Sequence, residues 1–69
     1  MRISARNLLR GRIVEVVKGA VTAHVKISVS EGVIVTAAIT NEAADELGLA
    51  VGDEVYAVVK ASDVMVAKD

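Results

Sequence analysis

"VTAHVKISVS", residues Val21 to Ser30, decides the class of fold. Val21, Ala23, Val25, Ile27 and Val29 alternate with Thr22, His24, Lys26, Ser28 and Ser30. A period of two marks a strand with one apolar and one wet face. Working outward, "SEGV" (Ser30 to Val33) reads as a hairpin turn, and "VIVTAAI" (Val33 to Ile39) as a second strand that is apolar on both faces. Such a strand is covered on both sides. "TNEAADELG" (Thr40 to Gly48) is the only helical stretch. Thr40 or Asn41 supplies an N-cap, Glu42 and Asp45 lie early in the helix, and Gly48 suits a left-handed C-terminal position. Before all this, "RGRIVEVVKG" (Arg10 to Gly19) is a long first strand, in which Gly11 suggests a bulge or sharp bend. After the helix come a Gly52-Asp53 turn, a strand from Glu54 to Lys60, a break at Ala61 to Asp63, and a short last strand from Val64 to Ala67. The order β-β-β-α-β-β predicts a mainly β, OB-like, five-stranded antiparallel barrel with one short helix after the third strand.

Sixty-nine residues make one domain, residues 1–69, and a chain this short needs external support for its core. It has no cysteine and a single histidine, so neither disulfides nor a structural metal site supplies that support. Hydrophobic residues make up 54% of the chain and the mean hydropathy is +0.52. No apolar run approaches the roughly 20 residues of a membrane helix. The start, Met-Arg-Ile-Ser, lacks the plan of a signal peptide. These features predict a cytoplasmic protein that covers its excess apolar surface with copies of itself, with no membrane partner. The net charge is −1, there is no basic stripe, and Tyr56 is the only aromatic residue. A nucleic-acid partner is therefore not expected.

No catalytic constellation emerges, so an enzyme is not expected. His24 lies on the wet face of its strand with no nucleophile beside it, and reads as a solvated or interface histidine. Glu42, Asp45 and Glu46, and Asp53 and Glu54, fall on a helix surface and in a turn. The glycines are isolated, so no phosphate loop forms, and metal-site spacings are absent. What remains is a set of donors. Ser4 and Arg6 offer a hydroxyl and a guanidinium, and the backbone at Ala5 and Arg6 offers N–H groups. Lys60, Ala61 and Ser62 offer an ammonium, two N–H groups and a hydroxyl, and Thr40 adds a hydroxyl at the head of the helix. This chemistry suits a tetrahedral dianion. The same residues also read as a strand start with two surface charges, and spacing alone favours that plainer reading.

The stretch "ISARNLLRGRIVEVVKGAVTAHV" (Ile3 to Val25) resembles the start of the Mop, or molbindin, type of molybdate-binding domain within the TOBE family. Ser-Ala-Arg-Asn, the Gly four residues after Asn7, and Lys-Gly-x-Val-x-Ala-x-Val (Lys18 to Val25) carry the likeness. "ELGLAVGDEVYAVVKASDVMVA" (Glu46 to Ala67) matches the family's second half. The resemblance implies an OB-like barrel with strand exchange between subunits and a homohexamer built as a trimer of dimers. It also implies molybdate or tungstate held at subunit interfaces, with no organic cofactor and no direct cation site, for storage or homeostasis in the cytoplasm.

Residue by residue, the resemblance places the oxyanion on Ser4, Ala5, Arg6, Thr40, Lys60, Ala61 and Ser62. Asn7 braces the turn. The resemblance also implies a second kind of oxyanion site at an interface, which it does not place residue by residue; the corner of Lys18, Gly19 and Thr22 is the candidate. Two rivals accompany this reading. "LGLAVGDEVYA" (Leu47 to Ala57) also has the rhythm of AbrB-like swapped-hairpin DNA-binding dimers, although the arginine-rich face of those domains is missing. The other rival is an oligomerisation module with no ligand.

Overall fold

The computed structural model describes residues 1–69. Four strands form one antiparallel sheet: β1 (Asn7–Lys18), β2 (Thr22–Ser30), β3 (Val33–Thr40) and β4 (Glu54–Val59), in the order β3-β2-β1-β4. One short helix, α1 (Asn41–Leu47), joins β3 to β4, and a single 3-10 turn (Ala61–Asp63) follows β4. No helix is long and apolar enough to cross a membrane.

The alternation read from the sequence sets the buried face. Ala23, Val25 and Ile27 are buried, while Thr22, His24 and Lys26 are exposed. Val25 and Ile27 join Ile13 and Ala57 in the core cluster, with Val35, Ala37 and Ile39 of β3 half-buried against it. Val21 stands outside β2 and is 70% exposed.

β1 is long because it serves two partners. Asn7 to Arg12 pair with β4, and Arg12 to Lys18 pair with β2. The β1–β2 register slips between Ile13 and Glu15, which leaves Val14 as an extra residue. Such a bulge bends the strand and sharpens its twist. The loop before β4 is stitched to the bend: Gly52 donates its N–H to the Ile13 carbonyl at 2.8 Å, and Ile13 donates to the Asp53 carbonyl at 2.9 Å. Gly11 lies in regular pairing opposite Val55, so the predicted bulge falls three residues further on. Its need for glycine is close approach. A Cβ here would lie 2.6 Å from the Ser28 carbonyl oxygen and 2.7 Å from Cγ2 of Ile27.

The helix follows its capping residues. Thr40 is the N-cap, and its hydroxyl oxygen accepts from the Ala43 N–H at 3.0 Å. Gly48 ends the helix at φ 63°, a left-handed conformation natural to glycine. Ala44 is the helix residue buried against the sheet.

The fifth expected strand differs from what forms. Val64 to Ala67 pair with nothing in the chain, and Met65 and Val66 are 93% and 92% exposed. The sheet accordingly stays open, with β3 and β4 as its edges. The β4 edge lies free, but the chain leaves β4 through the 3-10 turn Ala61–Asp63 and not through a hairpin turn, so Val64 to Ala67 are not folded back onto that edge. An apolar groove of about 530 Å³ results, with Ile13, Val25, Ile27, Leu49, Val55 and Ala57 among its lining residues.

Two stability measurements follow. Gly11→Ala drives a methyl group into a backbone carbonyl that cannot yield, and lowers stability by about 2 kcal/mol in urea unfolding at fixed protein concentration. Thr40→Ala removes the cap and costs about 1 kcal/mol by the same measure, whereas Thr40→Ser retains most of it.

Candidate functional site

Two groups of the expected site residues meet at one end of the β1–β4 ladder. Its last rung pairs Asn7 with Val59. The antiparallel register therefore sets Ser4, Ala5 and Arg6, which lead into β1, beside Lys60, Ala61 and Ser62, which leave β4. The Asn7 side-chain amide donates to the Val59 carbonyl at 3.2 Å and clamps this rung from the side. Ala5 is buried, at 8% exposure, while Ser4 and Arg6 are exposed. The small side chain of Ala5 packs inward and brings its backbone close to the sheet end.

The donors at this end are unspent. The N–H groups of Ser4, Ala5, Arg6 and Lys60 lie outside the regular elements and donate to no carbonyl in the chain. The 3-10 turn closes with Asp63 N–H to the Lys60 carbonyl at 2.9 Å and Val64 N–H to the Ala61 carbonyl at 3.3 Å. Those two bonds leave the N–H groups of Ala61 and Ser62 unused by the turn.

The charges are unspent as well. Four of the eight Lys and Arg residues have carboxylate partners: Arg10 and Arg12 share Glu54 at 2.9 and 3.7 Å, Lys26 meets Glu15 at 3.7 Å, and Lys18 meets Asp45. The bond to Arg10 holds the Glu54 carboxyl below its ordinary range and raises Arg10 in turn. Both groups are solvated, so this cluster on the outer face of the sheet adds little stability. Arg6 and Lys60 have no such partner. An uncompensated guanidinium and ammonium beside free N–H and O–H donors form the chemical complement of a tetrahedral anion.

Thr40 is not brought to this end. It pairs with Thr22, level with the Lys18 end of β1, so most of that 12-residue strand separates it from Arg6. Its hydroxyl oxygen accepts the cap bond and its O–H proton stays free to donate.

Lys18, Gly19 and Thr22 do come together, in the corner between β1 and β2. Gly19 donates its N–H to the Thr22 carbonyl at 2.9 Å. Two residues of α1 that were not among the expected site residues organise this corner. Asn41 donates from its side chain to the Gly19 carbonyl at 2.9 Å and from its backbone to the Val21 carbonyl at 2.7 Å. Asp45 pairs with the Lys18 ammonium. These side-chain partners are 22 and 27 residues apart in the chain, and no local motif signals them. No cluster of three or more His, Cys, Asp or Glu side chains is present.

Comparison with known proteins places this geometry in a family. The TOBE domain model matches residues 3–66. MopA, a molybdenum-pterin-binding protein of Rhodobacter capsulatus, is 49% identical over 97% of this chain, which spans only 25% of MopA's length. A probable molybdenum-pterin-binding protein of Haemophilus influenzae is 44% identical, with 96% of each chain covered. Among solved structures, a molybdate-binding protein from Sporomusa ovata superposes with a TM-score of 0.92 at 41% identity, over 99% of this chain and all of that one. Family match, full-length relatives and fold agree: this chain belongs to the TOBE domain family, in its Mop, or molbindin, group.

Proposed function

We propose that this chain is an oxyanion-binding protein that holds molybdate, or the nearly isosteric tungstate, between copies of itself. The observation that carries the reading is the position of Arg6 and Lys60 just beyond the last rung of one ladder, Asn7 with Val59, both without carboxylate partners and beside the unspent N–H groups of Ala5 and Arg6. In this reading Arg6 and Lys60 balance the dianion's charge. Ser4, Thr40 and Ser62 donate hydroxyls, Ala5 and Ala61 donate backbone N–H groups, and Asn7 keeps the two segments in register. A structural neighbour that is a molybdate-binding protein, and a relative named as a probable molybdenum-pterin-binding protein, support the choice of anion.

One chain does not complete the site, since Thr40 lies at the far end of β1. The proposal therefore takes Thr40 from a neighbouring copy. The same assembly supplies the missing strand: Val64 to Ala67 of one copy pair along a free sheet edge of another, close the five-stranded barrel and cover the apolar groove. A homohexamer arranged as a trimer of dimers satisfies both requirements. The Lys18, Gly19 and Thr22 corner is the proposed second oxyanion site. The setting is the cytoplasm and the role is storage or homeostasis of the anion, with no chemical transformation of it. An AbrB-like DNA-binding role gains nothing from this structure, because no arginine-rich face forms.

Equilibrium dialysis against molybdate tests the reading, with equimolar sulfate as competitor. The wild-type protein retains molybdate and ignores sulfate, because the smaller anion fits a rigid donor cage poorly. Arg6→Ala weakens molybdate binding on the order of tenfold to a hundredfold, as expected for loss of a charge-assisted bond. Equal retention of molybdate by wild type and Arg6→Ala contradicts the assignment.

A further inference from the structure

The β1–β2 corner carries its own donor set and its own anion. The Ala20 and Val21 N–H groups donate to nothing in the chain, the Thr22 hydroxyl is free, and the Lys18 ammonium is nearby. Asn41 holds the corner in this form by drawing the Gly19 and Val21 carbonyls toward itself, which leaves the intervening N–H edge unobstructed. The corner thus presents free donors beside two side-chain acceptors, the unpartnered Asn41 Oδ1 and the Asp45 carboxylate. Asp45, on the solvent side of α1, already occupies the only cation. A carboxylate and a tetrahedral oxyanion compete for the same N–H and N⁺–H donors, and a dianion placed beside a carboxylate meets like-charge repulsion.

We infer that Asp45 is a resident competitor that sets the affinity of the Lys18–Thr22 corner for oxyanions, making it the weaker of two classes of site. This rests on the oxyanion reading above. The Arg6–Lys60 end has no paired carboxylate and fills first. The corner fills only when the anion displaces Asp45 from Lys18. Asp45 thereby spaces the two affinities and gives the assembly a reserve capacity that engages at higher anion concentration.

The test is titration calorimetry with sodium molybdate on the assembled wild-type protein, Asp45→Asn and Glu46→Gln, with circular dichroism to verify folding. Glu46 is an exposed acid on the same helix with no ion pair, so its variant removes the same charge without freeing Lys18. The expected result is two classes of site in the wild type. Asp45→Asn tightens the weaker class by about threefold to tenfold and leaves the tighter class unchanged. Glu46→Gln leaves both unchanged. An unaltered weaker class in Asp45→Asn overturns the inference, as does an equal effect of Glu46→Gln, which assigns the change to overall charge. A wild type that binds no molybdate overturns the oxyanion reading itself. A wild type with one class, unaffected by Asp45→Asn, overturns only the role of Asp45.

Discussion

The constraint on which the structure depends is the shortage of its own core. Seven of 69 residues are buried, and only four of them, around Ile13 and Val25, form the apolar core cluster. The chain is 54% hydrophobic, and Leu8, Leu9, Val17, Val21 and Tyr56 stay substantially exposed. Small chains bury a limited fraction of their surface, and those without disulfides or metals gain support from partner subunits. An open apolar groove and an unpaired Val64–Ala67 segment of matching character are the two halves of that need. In the proposed assembly, burial of this surface also brings distant donors such as Arg6 and Thr40 within reach of one anion. Stability and ligand binding there have a common origin.

The fold was legible wherever the sequence carried a strong local signal. The period-two pattern from Thr22 to Ser30, the Ser30–Val33 hairpin, the Thr40 cap and the Gly48 terminator all lie where backbone preferences are decided within a few residues. Boundaries moved by a few residues: β1 begins at Asn7 rather than Arg10, because β4 extends the pairing to Val59. The fifth strand was legible as a strand-like segment but has no ladder in a single chain. Strand propensity records what a segment can pair with, and the partner edge is a tertiary, or quaternary, matter. Gly11 was singled out correctly as special, although the reason is contact with the Ser28 carbonyl and Ile27, which only the folded register reveals.

The candidate site divides along the same line. Ser4, Ala5 and Arg6, and Lys60, Ala61 and Ser62, are short contiguous groups of donors, visible as composition. Their meeting follows from the antiparallel β1–β4 register, which no pattern inside either group specifies. In the sequence, Asn41 reads as an alternative N-cap, and Asp45 as an acid early in the helix and on its surface. Their contacts with Gly19 and Lys18 cross from helix to hairpin, so their part in the corner emerged from the fold alone.

Assembly and anion binding are one event in this account, so the most direct measurement reads both together. Native mass spectrometry of the purified chain, with molybdate or with equimolar sulfate, gives the mass of the assembly and its bound anions in one spectrum. The account predicts a hexamer that gains several molybdates and no sulfate. A monomer, or an oligomer of unchanged mass in molybdate, contradicts it.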